Sequence, residues 1–185
     1  EEPTLQSRLS TQTPLELRTL IEPLIRNNII GEVKAPNYTN PDATTTIYYQ
    51  TTDHETRNIL QEYITNIIQR DLQSKGINTR WIDQNMELLS TTNNNNHNQN
   101  QYIITTWTHN TIDPTTTLTR LQGIRQQLQN EHIKELIIAL PWKNEAEKLR
   151  KLIKHLKLQG ITPIPFNENE TNKLINHITY GSPIT

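Results

Sequence analysis

Six cations crowd one short stretch of the chain: Lys143, Lys148, Arg150, Lys151, Lys154 and Lys157, opposed only by Glu145 and Glu147. A local surplus of positive charge can displace counterions from a phosphate backbone, so the chemistry it points to is contact with DNA or RNA. Trp142, just ahead of the cluster, offers a ring for stacking on a base or a partner. The ordinary rival is that acids first and cations later complement a helix macrodipole, and that a Trp at a strand end is commonly packed.

Other chemistry is thinly represented. The histidines stand at 54, 97, 109, 132, 155 and 177, and none shares a helix face with a second His or an acid at the spacing HExxH uses. His109 near Asp113 is the only local pairing, and a strand-end histidine explains it as well. No GxSxG elbow, GxxxxGK[ST] loop or GxGxxG turn is present, which leaves nucleophilic serine and phosphate-cradling sites unsupported. With no Cys there are no disulfides, thiolate metal sites or Cys nucleophile.

The 185 residues suit one medium domain or two small ones. A formal net charge of −1 removes the global attraction of a strongly basic nucleic-acid binder, so any such contact must be local. Thr, Asn and Gln number 27, 21 and 14, while Ala and Val number 4 and 1. The depleted types have codons beginning with G and the enriched ones codons beginning with A or C, so much of this bias reflects the coding strand. The longest apolar run, Leu136 to Leu140, is far short of the roughly 20 residues of a membrane span, and no secretory h-region opens the chain. A soluble, intracellular protein without membrane contact is expected.

The elements that must position these residues follow from periodicity. After a short amphipathic stretch from Thr4 to Leu9, Thr13, Pro14 and Glu16 mark a helix start, and Leu17, Leu20, Ile21, Leu24 and Ile25 give it an apolar stripe, with Pro23 as a kink point. IIGEVKAP and TTTIYYQ, separated by NYTNPDA, read as a hairpin. A helix over 54–76 ends at Lys75 and Gly76. INTRWI and MELLS read as short strands, residues 91–101 as a polar, disorder-prone loop, and YIITTWTH as a strand. A helix over 115–132 carries Leu118, Leu121, Ile124 and Leu128. KELIIALP suits a strand covered on both faces. A helix over 145–160 buries Leu149, Leu152, Ile153 and Leu156; a strand ITPIPF and a helix over 169–180 complete the order.

Helix, turn, longer helix and hairpin over residues 4–50 resemble part of the winged-helix family. The resemblance implies docking on DNA or on a protein. Arg8, Arg18, Arg26 and Lys34 stand against Glu1, Glu2, Glu16, Glu22, Glu32 and Asp42, an acidic balance that favours a protein partner.

Over residues 53–167 the order helix, three strands, helix, strand, helix, strand is similar to the restriction-endonuclease-like fold of the PD-(D/E)xK family. That likeness implies an α/β fold, a central mixed sheet flanked by helices. It also implies a site where two carboxylates hold a divalent cation such as Mg²⁺ that activates water, while a Lys positions the nucleophile. Carried over residue by residue, Glu55 or Glu62 is the helix acid and Glu87 takes the second-strand position, with Asp83 close by. The third strand departs from the family: Thr105, Thr106, Trp107 and Thr108 supply neither carboxylate nor Lys. The one literal ExK, Glu32-Val33-Lys34, lacks an Asp-bearing strand before it and reads as a solvated strand face.

The sequence therefore leads to a winged-helix-like module over 1–50 and a nuclease-like α/β domain over 51–185. The expected function is a non-catalytic binding protein of a nucleic-acid-associated or macromolecular assembly. It would dock a protein through the N-terminal module and DNA or RNA through residues 143–157, without catalytic residues, metal or cofactor. The alternatives are an active Mg²⁺-dependent nuclease using Glu55 or Glu62, Asp83 and Glu87, and a structural subunit of a viral or surface assembly.

Overall fold

The computed structural model describes residues 14–51, 58–83, 88–92, 100–108, 113–129 and 133–184. Two compact units are formed, one from Glu1–Lys34 with Thr46–Ile59, the other from Ala35–Thr45 with Leu60–Thr185. The division differs from the expected cut at residue 50, because the tip of the hairpin groups with the second unit.

In the first unit, helix α1 (Pro14–Arg26) begins with Pro14, which fits a first turn that needs no N–H. It runs through Pro23 to Arg26, forfeiting one backbone bond there. The expected cap, Thr13, lies outside the described residues. Asn28 ends the helix with φ 55°, while the Ile29 amide donates to the Leu24 carbonyl at 2.9 Å and the Asn28 amide to Ile25 at 3.0 Å. This is a Schellman end, in which Asn tolerates the left-handed position usually given to Gly. Only Ile21 of the apolar stripe is buried; Leu20 and Leu24 remain 54% and 36% exposed. Strands β1 (Ile30–Pro36) and β2 (Thr44–Gln50) pair as a two-stranded sheet. At Gly31 a Cβ would lie 2.4 Å from the end of the Tyr49 side chain, so any larger residue there would displace that ring.

The second unit is an α/β domain around a five-stranded mixed sheet. Its elements are α2 (Ile59–Ser74), β3 (Asn78–Trp81), β4 (Leu88–Thr92), β5 (Gln101–Thr106), α3 (Pro114–Leu128), β6 (Ile133–Leu140), α4 (Lys143–His155), β7 (Ile161–Pro165) and α5 (Glu168–Tyr180). The strands lie in chain order, β3-β4-β5-β6-β7. β4 is antiparallel to β3 and β5, while β5, β6 and β7 run parallel. Alternation along the central strands splits the interior in two. Tyr102, Ile104, Ile137, Ala139, Ile164 and Phe166 face α2 and α5, meeting Ile64, Ile68, Leu72 and Leu174. Ile103, Leu136, Ile138 and Leu140 face α3 and α4, meeting Leu121, Ile124, Leu149 and Ile153. The continuous apolar run of β6 has this cause: both its faces are covered.

Several boundaries differ from expectation. Thr91 and Thr92 belong to β4 and Gln101 to β5, so the polar loop is shorter at both ends; residues 93–99 lie outside the described set. β-branched Thr pairs well in a ladder, and Thr91 and Thr92 lie opposite Tyr102 and Gln101. Thr117 rather than Leu118 is buried on α3, and Leu152 and Leu156 are half-buried. Helix α4 stops at His155 instead of continuing to Gly160. Lys157 takes φ 53° and the Leu158 amide returns to the Ile153 carbonyl at 3.1 Å, the hydrophobic closure of a left-handed helix end. β7 is an edge strand, where Pro163 and Pro165 can lack N–H groups without leaving a ladder partner unpaired. Among the described residues no helix is long and apolar enough to cross a membrane.

Candidate functional site

Helix α4 owes its position to Ala146, Leu149 and Ile153, which are buried against the sheet with Glu145 at the first turn. The 3.6-residue repeat therefore sends Lys143, Lys148, Lys151 and Lys154 outward, and all four are exposed. Arg150 is exposed but leans to the sheet edge, where its guanidinium donates to the Pro163 carbonyl at 3.3 Å. Lys157 lies past the helix. The structure thus assembles four of the six expected cations on one helix surface and gives Arg150 a local structural contact. Glu145 has its carboxyl pushed above the usual range by burial, opposed by the Trp142 amide and the Lys148 charge.

The positions expected from the nuclease resemblance behave differently. Glu55 and Glu87 lie outside the described residues. Glu62 is half-buried in the first turn of α2. Asp83 lies just after β3, its carboxylate accepting the Leu88 amide at the start of β4 at 2.7 Å. Across from them, Thr105 and Thr106 end β5 with opposite faces and are both buried. The Thr106 and Thr65 hydroxyls are 3.0 Å apart, and Thr65 donates to the Gln61 carbonyl at 2.8 Å. Trp107 is buried under the Arg120 guanidinium, which sits 5.0 Å from its ring centroid. Among the described residues no three His, Asp or Glu side chains are grouped as a metal would require. Glu32 and Lys34 are both exposed on β1.

His109 lies outside the described residues, and Asp113 is the N-cap of α3. Its carboxylate accepts the Thr116 amide at 2.8 Å, and this bond holds its pKa below the usual range. Among the described residues, His177 has an acid partner: its Nε2 is 2.5 Å from Glu135 while its Nδ1 donates to the Ser182 carbonyl at 2.5 Å. Thr162 donates its hydroxyl to the other Glu135 oxygen. A nucleophilic triad needs the imidazole between hydroxyl and acid. Here the acid lies between them, so the arrangement ties α5 to β6 and β7. No local spacing reveals a pair 42 residues apart in the chain.

A feature absent from the sequence reading lies within the second unit, a cleft of about 540 Å³ at the carboxyl ends of β6 and β7. Pro141-Trp142 leads from β6 into α4, Phe166-Asn167 leads from β7 into α5, and Pro36 and Tyr38 of the hairpin tip form the facing wall. Tyr38 is held at three points. Its hydroxyl donates to Asp71, its carbonyl accepts the Glu168 amide at 2.8 Å, and its ring lies 5.0 Å from that of Phe166. Burial, and next the bond to Asp71, push the phenol well above its usual pKa. The carboxyl ends of parallel strands are where open α/β sheets take ligands. A Pro-aromatic pair at the end of each of two successive parallel strands, Pro141-Trp142 and Pro165-Phe166, was the available signal.

No protein-family model, curated protein or solved structure matches the chain.

Proposed function

We propose that the chain is a non-catalytic binding protein of a nucleic-acid-associated or macromolecular assembly, its larger unit following a PD-(D/E)xK-like plan without a complete metal site. The observation that carries this reading is the end of β5. Where that plan places a carboxylate and a Lys, Thr105 and Thr106 are packed into the interior, and the Thr106 hydroxyl meets Thr65. Exchanging ionic side chains for buried hydroxyls removes both the cation ligand and the group that positions water. Support for the plan comes from the chain-order sheet with its antiparallel second strand and helices on both faces.

Two surfaces serve the binding role. Lys148, Lys151 and Lys154 on α4 form the polyanion contact. Leu15, Leu20 and Leu24 of α1, exposed at 76%, 54% and 36%, provide apolar area for a protein partner. Duplex DNA binding should weaken with salt. Changing Lys148, Lys151 and Lys154 to Gln should reduce the slope of log K against log salt by about one per residue that contacts phosphate. Salt-independent or absent binding, or a slope unchanged by the triple substitution, overturns the nucleic-acid role. Plasmid cleavage dependent on Mg²⁺ or Mn²⁺ and lost in Glu87→Ala overturns the non-catalytic reading.

A further inference from the structure

We infer that the cleft at the carboxyl ends of β6 and β7 binds a Lys- or Arg-bearing peptide segment of a partner protein, independently of the polyanion surface on α4. The cleft is of a size that holds a few side chains. Its charge selects their sign. Among the described residues lining it, Asp42, Glu168 and Glu170 face a single cation, Lys143. Asp42 and Glu168 are exposed at the rim, while Glu170 is 2.7 Å from the Lys173 ammonium.

Helix N-termini at such a place commonly hold phosphate through free amides. At the start of α5 the Glu168 amide donates to the Tyr38 carbonyl at 2.8 Å and the Glu170 amide to the Asn167 side chain at 2.8 Å, and at α4 the Glu145 carboxylate accepts the Trp142 amide at 3.4 Å. With those donors taken and Glu168 and Glu170 in the first turn of α5, an anion at that helix end meets repulsion. A cation meets attraction from the same carboxylates and from aromatic faces.

Tyr38 and Trp142 are half-buried walls of the cleft, and a guanidinium or ammonium gains from lying over such rings. Tyr38 is pinned at its hydroxyl, carbonyl and ring, so little ordering remains to be done on binding. The methylene stem of a Lys or Arg matches Pro36, Pro41 and Pro165, since long cationic side chains lay their stems on apolar surface. Asn169 and Asn172 offer amides to a peptide backbone at the rim.

The test is an amide-resolved NMR titration of the full chain with acetylated decalysine and, separately, decaarginine. Shifts are expected to concentrate in residues 38–42, 142–143 and 166–172. Asp42→Asn with Glu168→Gln should weaken binding by about fivefold, the effect of two partly exposed ion contacts. Trp142→Ala should weaken it independently. Unchanged spectral dispersion reports that the variants stay folded. Neutralising Lys148, Lys151 and Lys154 should not weaken decalysine binding, which separates this result from failure of the polyanion surface. Four outcomes overturn the inference: no binding, shifts spread over other acidic surface, an affinity indifferent to the rim substitutions, or cleft shifts caused by decaglutamate or oligo-dT.

Discussion

Thr65, Thr105 and Thr106 are all buried, yet their hydroxyls are differently placed. Thr65 bonds both the Gln61 carbonyl and Thr106, whereas the Thr105 hydroxyl has no hydrogen-bond partner. A buried orphan costs free energy and a satisfied group returns some, so replacement by Val has different outcomes. Thr105→Val should be neutral or stabilising in urea denaturation. Thr106→Val should cost about 0.5–1.5 kcal/mol, one bond, and Thr65→Val about 1–3 kcal/mol because it also strands Thr106. A clear loss of stability in Thr105→Val would mean that its hydroxyl is satisfied. That this strand end carries no acid was legible, because it is a matter of residue type. What the Thr106 hydroxyl meets was not, because Thr65 lies 41 residues away in the chain. Glu145 yields a pH prediction. Its folded pKa is raised above the ordinary 4.5, so the folded state holds the proton more tightly, and its contribution to stability falls as pH rises above 4.5. Glu145→Gln keeps an acceptor for the Trp142 amide and should stabilise at neutral pH. That gain should vanish below pH 4.5, as thermal melts across the range would show.

Helix ends separate what is readable at the level of elements from what is not. Gly76 and Gly181 adopt φ 76° and 72° after α2 and α5, the stops that glycine advertises. Asn28 and Lys157 do the same work without the glycine signal, and α4 therefore looked longer than it is. Leu156 prolongs the helical stripe and Leu158 follows it for a physical reason: the residue that closes a Schellman end is apolar, so its packing imitates another helical turn. Lys157→Gly should relieve left-handed strain of about 1–2 kcal/mol, less the extra unfolded-state freedom of glycine, for a net gain of about 0.5–1 kcal/mol. Denaturation midpoints of this variant and of Lys157→Ala test the point. The Ala variant should show no gain, since it retains the Cβ that makes φ 53° costly.

At the scale of the molecule, the apolar run of β6 correctly marked a strand covered on both faces, because continuous hydrophobicity is what two helix layers demand. The two-unit division was less visible. The hairpin tip carries polar turn residues, yet Tyr38 groups with the larger unit through Phe166 and Asp71, contacts that no periodicity encodes. The units also differ in how much apolar side chain they bury. Ile21 is the only buried apolar residue of the smaller unit among those described, while the larger has cores on both faces of its sheet. A helix of 13 residues is marginal by itself, so α1 depends on that modest burial. In hydrogen exchange, α1 amides should open locally with low protection, whereas those of β5 and β6 should exchange only through global unfolding. Ile137→Ala empties a fully buried site and should lower β5 and β6 protection by about 2–5 kcal/mol while leaving α1 exchange unchanged. If α1 lost protection in step with β6, the two units would be one cooperative block. The exposed leucines of α1 would then belong to a rigid surface rather than to one that gains order on docking.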